Sequence, residues 1–156
     1  MTDVADFARL ITGDHGLCVV STLRPDSTIQ ASVVNAGVLD HPLTTRPVVA
    51  FVAMGGSRKL ANLRVQPQAT VVARAGWEWA AAEGRVELVG PDDPVAGIDA
   101  ERLRLLLRDI FTAAGGTHDD WDTYDHVMAR ERRTAVLLTP DRLYSRTPDR
   151  SDAPVA

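Results

Sequence analysis

Five consecutive residues, Gly55-Gly56-Ser57-Arg58-Lys59, carry the most chemistry in this sequence. They follow an apolar run, Pro47 to Met54 (PVVAFVAM), that reads as a strand buried on both faces. A helix is expected to begin at once, capped by Ser57 and running from Arg58 to Val65, with Pro67 as its stop. Free N–H groups at a helix N-terminus, aided by the helix dipole, form a site for an anion. Glycine lets a phosphate approach the backbone. Ser57 adds a hydroxyl, and Arg58 and Lys59 add positive charge on flexible arms. Lys59 is the single lysine in the sequence; every other basic side chain of that class is arginine. A plainer reading is a Ser-capped surface helix with two solvated cations. The five residues by themselves leave both readings open.

Other chemistry-bearing residues are more scattered. His15, His41, His118 and His126 include no pair at metal-ligand spacing and have no cysteine partner nearby, so no metal site is expected. Cys18 lies in an apolar stretch and reads as an inert core thiol. There is no Gly-x-Ser-x-Gly elbow. Asp119, Asp120 and Asp122 read as a capped, solvated helix start. No side chain stands out as a dedicated acid or base, so no catalytic residue is assigned.

The elements that must position these residues can be read in order. Asp3 caps a short helix ending at Gly13, with Val4, Phe7, Ala8 and Ile11 on one face. Leu17 to Leu23 and Thr28 to Val38 read as strands joined by the turn Arg24-Pro25-Asp26-Ser27. Leu39 to Arg46 reads as a loop. Ala69 to Ala75 and Trp77 to Val89 read as the next two strands, with a bulge or bend at Gly84. Asp99 caps a helix carrying Leu103, Leu106, Leu107 and Ile110, and Gly115-Gly116 ends it. A further helix runs to about Arg130. Thr134 to Thr139 is the last clear strand, and Leu143 to Arg146 either extends or follows it after Pro140. The Pro-, Asp- and Ser-rich stretch 147–156 reads as a disordered tail.

The chain has 156 residues, suited to one domain, taken here as 1–146. Its composition, 45% hydrophobic and 24% charged, is that of a soluble globular protein. A net charge of −4 argues against a nucleic-acid partner. One cysteine excludes an internal disulfide. The first ten residues lack a basic, apolar leader pattern, and no apolar run approaches a membrane span. A cytoplasmic protein without a membrane partner is expected. Short connections between about six strands predict a mainly β fold, a closed or partly open antiparallel barrel with flanking helices.

The stretch Phe51 to Pro67, FVAMGGSRKLANLRVQP, resembles the matching stretch of the pyridoxamine 5′-phosphate oxidase-like split-barrel flavoproteins. The resemblance continues through Trp77-Glu78-Trp79-Ala80 and Ala82 to Leu88 (AEGRVEL). Asp120-Trp121-Asp122-Thr123-Tyr124 and Arg132-Arg133-Thr134-Ala135-Val136-Leu137-Leu138 are similar to the C-terminal part of the family's actinobacterial branch. That branch contains the oxidoreductases dependent on the deazaflavin coenzyme F420. The match runs from about Gly16 to Tyr144.

The resemblance implies a six-stranded antiparallel split β-barrel of the FMN-binding type, working as a homodimer with its cofactor between subunits. Ser57, Arg58 and Lys59 would hold the cofactor phosphate. Ser32, Val33, Val34 and Asn35 would lie on the strand that runs past the ring system. Ala50, Phe51, Val52 and Ala53 would meet the ring edge through their backbone. Trp77 and Trp79, expected on one face of a strand, would approach from the second subunit or serve plain packing. The implied activity is hydride transfer between reduced F420 and a small organic acceptor. Two alternatives remain: an FMN-dependent oxidase or reductase of the same fold, and a non-catalytic flavin or F420 carrier.

Overall fold

Asp3 opens the first element: its carboxylate accepts the Asp6 N–H at 2.9 Å, and Asp6 returns the bond to the Asp3 N–H at 3.3 Å. This reciprocal capping starts helix α1, Val4–Gly13, whose Phe7, Leu10 and Ile11 are buried. The computed structural model describes residues 3–146, so the expected tail lies outside the described residues. Six strands follow: β1, Leu17–Leu23; β2, Ile29–Asp40; β3, Pro47–Ala53; β4, Gln68–Ala75; β5, Glu78–Val89; and β6, Thr134–Ser145. They close into an antiparallel barrel in the order β1-β2-β3-β6-β5-β4.

The barrel interior is filled by alternate residues, among them Val20, Val49, Phe51, Val71, Val136 and Leu138. Helix α1 contributes Phe7, Leu10 and Ile11 to this core, and helix α2, Arg58–Val65, contributes Leu60 and Leu63. Burying each such side chain stabilises the fold by about 1.5–3 kcal/mol. A second cluster lies outside the barrel. There Leu106, Leu107 and Ile110 of helix α3, Ala100–Ala113, cover Val48 and Ala50 of β3 and Leu137 of β6. Strand β3 is therefore apolar on both faces. Helix α4, Trp121–Arg130, packs over α3 with Tyr124 as its one buried residue.

Two local expectations need correction, and one left open is decided. Trp77 is not on a strand: Ala75 pairs with Glu78, so Gly76 and Trp77 form the intervening turn. Gly76 supplies the positive φ, and Trp77 stands 93% exposed. Trp77 and Trp79 thus share no strand face. Strand β2 continues to Asp40, because Val38, Leu39 and Asp40 pair with Val49, Val48 and Pro47. Strand β6 runs through Pro140 without a break. Pro140 lies opposite Gly84, where the ladder shifts register, so its missing N–H costs no regular pairing. The extra residue is Asp141 of β6, and a side chain at Gly84 would meet the Thr139 carbonyl, which is why glycine stands opposite this bulge.

Candidate active site

The barrel is split along one seam. Strand β2 pairs with β3 only from Ala36 to Asp40. Earlier in β2, Ile29 to Asn35 stay with β1, whereas Val52 and Ala53 of β3 continue alongside β6. The two strands therefore diverge beyond the Ala36–Phe51 pair. A cavity of about 390 Å³ lies at this divergence.

Ladder geometry decides which backbone groups face the opening. The Ala36 N–H donates to the Gly16 carbonyl at 2.8 Å, so Ala36 is turned towards the β1 side. Alternation along an antiparallel strand turns Val33 and Asn35 the other way, to the open edge. Phe51, opposite Ala36, is likewise turned from β2, which aims the Val52 C=O at the opening. Unpaired edge groups of this kind are the ones a planar ligand with ring nitrogens and carbonyls can use.

Of the sequence-selected residues, the cavity brings together Val33, Val34, Asn35, Val52, Ala53 and Lys59. Phe51 is fully buried in the barrel core with its backbone turned to β6. Ser32, Ala50, Ser57 and Arg58 do not line the cavity. Trp79 lies on the outer face of β5 and meets Tyr144 edge-on at 6.1 Å. Arg58 is exposed, while Lys59 is partly buried and faces the cavity. Neither has an ion-pair partner among the described residues.

Ser57 departs from expectation. It sits at the N-cap of α2, yet its side chain makes no capping bond. Its Oγ is buried and has no hydrogen-bond partner. Buried hydroxyls are normally bonded, so an orphan beside a helix N-terminus calls for a partner that the chain does not supply. Gly56 just before it has φ +77°, and a Cβ there would meet open space. The free N–H groups that open α2 and the unneutralised Lys59 offer an anion a place at this edge of the cleft, while Ser57 itself does not line the cavity.

The far wall comes from residues that sequence reasoning did not select. Ile110, Phe111 and Ala114 at the end of α3, Tyr124 and Met128 of α4, Arg133, and Met54 complete the lining. Tyr124 is committed: its hydroxyl donates to the Leu107 carbonyl at 3.0 Å, and burial pushes its pKa up to about 12. Arg133 is paired with Glu131 at 2.6 Å. Asn35 donates its amide to the His15 carbonyl at 3.0 Å. The phenol therefore keeps its proton at neutral pH, directed at the Leu107 carbonyl.

Elsewhere the reactive groups are occupied structurally. Burial pushes the Cys18 thiol up to about 12, leaving it a core side chain. His41 accepts the Leu43 N–H at Nδ1 and meets Glu87 through Nε2 at 3.0 Å, closing the β2–β3 loop. Among the described residues, no three His, Cys, Asp or Glu side chains gather as metal ligands. No described helix is long and apolar enough to cross a membrane.

No family model matches the chain. Solved structures do, across nearly its whole length. A pyridoxamine 5′-phosphate oxidase-related, FMN-binding protein from Nostoc punctiforme aligns over 93% of this chain and 86% of its own, with a TM-score of 0.63 at 14% identity. The chain has the split-barrel fold of the pyridoxamine 5′-phosphate oxidase-like proteins. An F420 reductase shares the split barrel over 92% of this chain and 98% of its own, with a TM-score of 0.60 at 14% identity. A conserved hypothetical protein from Mycobacterium tuberculosis aligns over 93% and 84%, with a TM-score of 0.65 at 17% identity.

Proposed function

We propose that this split barrel is an oxidoreductase that binds F420 in the β2–β3 cleft and passes a hydride between it and a small organic acceptor. One observation carries the reading: the orphaned Ser57 hydroxyl and the unpaired Lys59 lie together at the start of α2, beside a cleft edged by free backbone groups. Structural neighbours described as an FMN-binding protein and an F420 reductase support the cofactor class. The choice of F420 over FMN rests on the resemblance of the whole sequence to the deazaflavin branch. The intact Ser57-Arg58-Lys59 triplet keeps FMN as the second reading.

The reduced cofactor, when bound, supplies the hydride. The chain's own residues do the rest. Ser57, Lys59 and the first N–H groups of α2 would hold the phosphate, with Arg58 at the rim. Val33, Asn35 and Val52 would fix the ring edge through main-chain bonds. Ile110, Phe111 and Ala114 exclude water from one side of the cleft. With the Tyr124 proton held by Leu107, the proton that accompanies the hydride comes from solvent.

The test is a pair of titrations. F420 and FMN are added separately to the protein, and quenching of tryptophan fluorescence is followed. Saturable quenching with tighter binding of F420 is expected, followed by turnover of an enone or quinone acceptor by the reduced complex. Tight FMN binding with no F420 binding would replace the cofactor. Binding of F420 without turnover of any acceptor would leave a carrier.

A homodimer is part of this proposal. The outer faces of β1 and β2 expose Leu17, Val19, Ile29 and Val33, the last at 64%. Val19 and Val33 are direct cross-strand partners, so these side chains form one patch. An apolar sheet face of this kind is stabilised by a second copy. Light scattering at micromolar concentration should report a dimer, and Val33→Glu should yield a monomer; a monomeric wild type would remove the dimer from the proposal.

A further inference from the structure

Helix α4 stands between two cavities. On one side is the cleft at the split. On the other, between α3 and α4, lies a cavity of about 270 Å³. Met128 and Arg133 belong to the lining of both. Most of the remaining lining of the second cavity is aliphatic, with Leu103 and Leu107 at its wall and Ala100 and Ala129 at exposed positions. The charges at its edge are already neutralised. Asp125 accepts from both Arg104 and Arg108 at 2.9 Å, and those guanidinium groups hold its carboxyl below the usual carboxylate range. Arg133 is held by Glu131. Nothing here selects an ionic ligand; the chemistry selects hydrocarbon.

The partition between the cavities is a thin one. Met128 is only partly buried, and an unbranched thioether changes shape at low cost. Besides Tyr124, α4 is held by its arginine–Asp125 pairs and by edge contacts among Phe111, Trp121 and Tyr124. The cleft must accommodate an acceptor beside a cofactor ring. At about 390 Å³ it is near the small end of the roughly 300–1,000 Å³ of ligand pockets. An acceptor longer than a single ring has to extend somewhere, and the aliphatic cavity is the next space.

We propose that the two cavities are compartments of one binding site, and that the cavity between α3 and α4 takes the uncharged aliphatic extension of an amphipathic acceptor whose reactive end lies in the cleft. This rests on the cleft's assignment to cofactor and acceptor. Met128 and Arg133 form the partition, and the acceptor's chain passes between them. Each methylene that leaves water for this cavity should tighten binding by up to about fourfold.

The experiment titrates the full chain calorimetrically with cyclohex-2-enones carrying a methyl, butyl or octyl group. Ala100→Phe and Ala129→Phe each place a ring in the second cavity from an exposed position, leaving the barrel core and cleft untouched. Affinity should rise steeply from methyl to butyl to octyl in the wild type. Both variants should bind the methyl compound as the wild type does and show little gain with chain length. An affinity independent of chain length in the wild type, or a steep dependence that survives in both variants, would overturn the proposal. Failure of the cofactor reading is separately visible: F420 and FMN would then fail to quench tryptophan fluorescence, while the chain-length dependence and its loss in the filled variants would stand.

Discussion

Lys59→Ala is expected to weaken cofactor binding by roughly ten- to a hundredfold while leaving the melting temperature unchanged or slightly raised. Lys59 faces the cleft, has no anionic partner among the described residues, and stands in the first turn of α2 beside the orphaned Ser57 hydroxyl. A charge-assisted bond to phosphate is worth about 1.5–3 kcal/mol, and each 1.4 kcal/mol is a factor of ten in affinity. A cation near a helix N-terminus opposes the helix dipole by about 0.3–1 kcal/mol, so its removal should not harm the apo fold. A residue mildly unfavourable to its own helix is best explained by an anion that it serves. Arg58→Ala is the control, because Arg58 is exposed and does not line the cleft; its effect should be much smaller. Unchanged affinity together with a lowered melting temperature would make Lys59 structural and remove the main support for the phosphate site.

Gly37→Ala is expected to be the more damaging change to the fold. Gly37 is fully enclosed where the end of α3 crosses β2, and a Cβ there would lie 2.6 Å from the Ala113 carbonyl oxygen and 2.7 Å from the Ala114 nitrogen. Both are backbone atoms, so no rotamer change relieves the clash and α3 itself must shift. That movement disturbs the packing of Leu106, Leu107 and Ile110 on the barrel and displaces the wall that Ile110 and Ala114 give to the cleft. Overpacking of this kind costs about 1–3 kcal/mol, and occasionally more. With backbone on the other side, the upper end applies, and a fall in melting temperature of roughly 6–12 °C follows for a domain of this size. Cofactor affinity should fall with it. Ala113→Gly should not rescue the variant, because the obstruction is the main chain of Ala113 and not its methyl group. A melting temperature within a degree or so of wild type would show that α3 yields easily, and the close packing would then lose its role in shaping the cleft.

Much of the molecule follows from local rules. The apolar run Pro47 to Met54 could only be a strand covered on both sides, and the structure covers it with the barrel core and α3. Asp99 caps α3 through the Arg102 N–H, and Asp120 caps α4 through the Thr123 N–H at 3.1 Å, because capping chemistry acts over three or four residues. The irregularity at Gly84 was visible in the same way, although the extra residue, Asp141, lies in β6 opposite it. What failed were features set by a partner strand. The turn at Gly76-Trp77 is indistinguishable, by composition alone, from the start of an alternating strand; pairing of Ala75 with Glu78 decides it. Leu39 and Asp40 read as the start of a loop, and only their pairing with Val48 and Pro47 extends β2.

The site divides along the same line. The sequence alone determined that a Gly-Gly-Ser turn would end a buried strand and open a helix, that Thr28 to Val38 would return beside Leu17 to Leu23 as a hairpin, and that the barrel would be antiparallel. These depend on residue types and short spacings. The tertiary structure decided where β2 and β3 part, that Lys59 rather than Arg58 faces the opening, and that Ser57 keeps its hydroxyl unpaired instead of capping its helix. It also brought Phe111, Tyr124 and Arg133 to a cleft whose other wall is built from residues 33–35. No local pattern could assign those side chains a role, because their placement is set by how α3 and α4 settle on a closed sheet, and that packing energy has no counterpart within a short window of sequence.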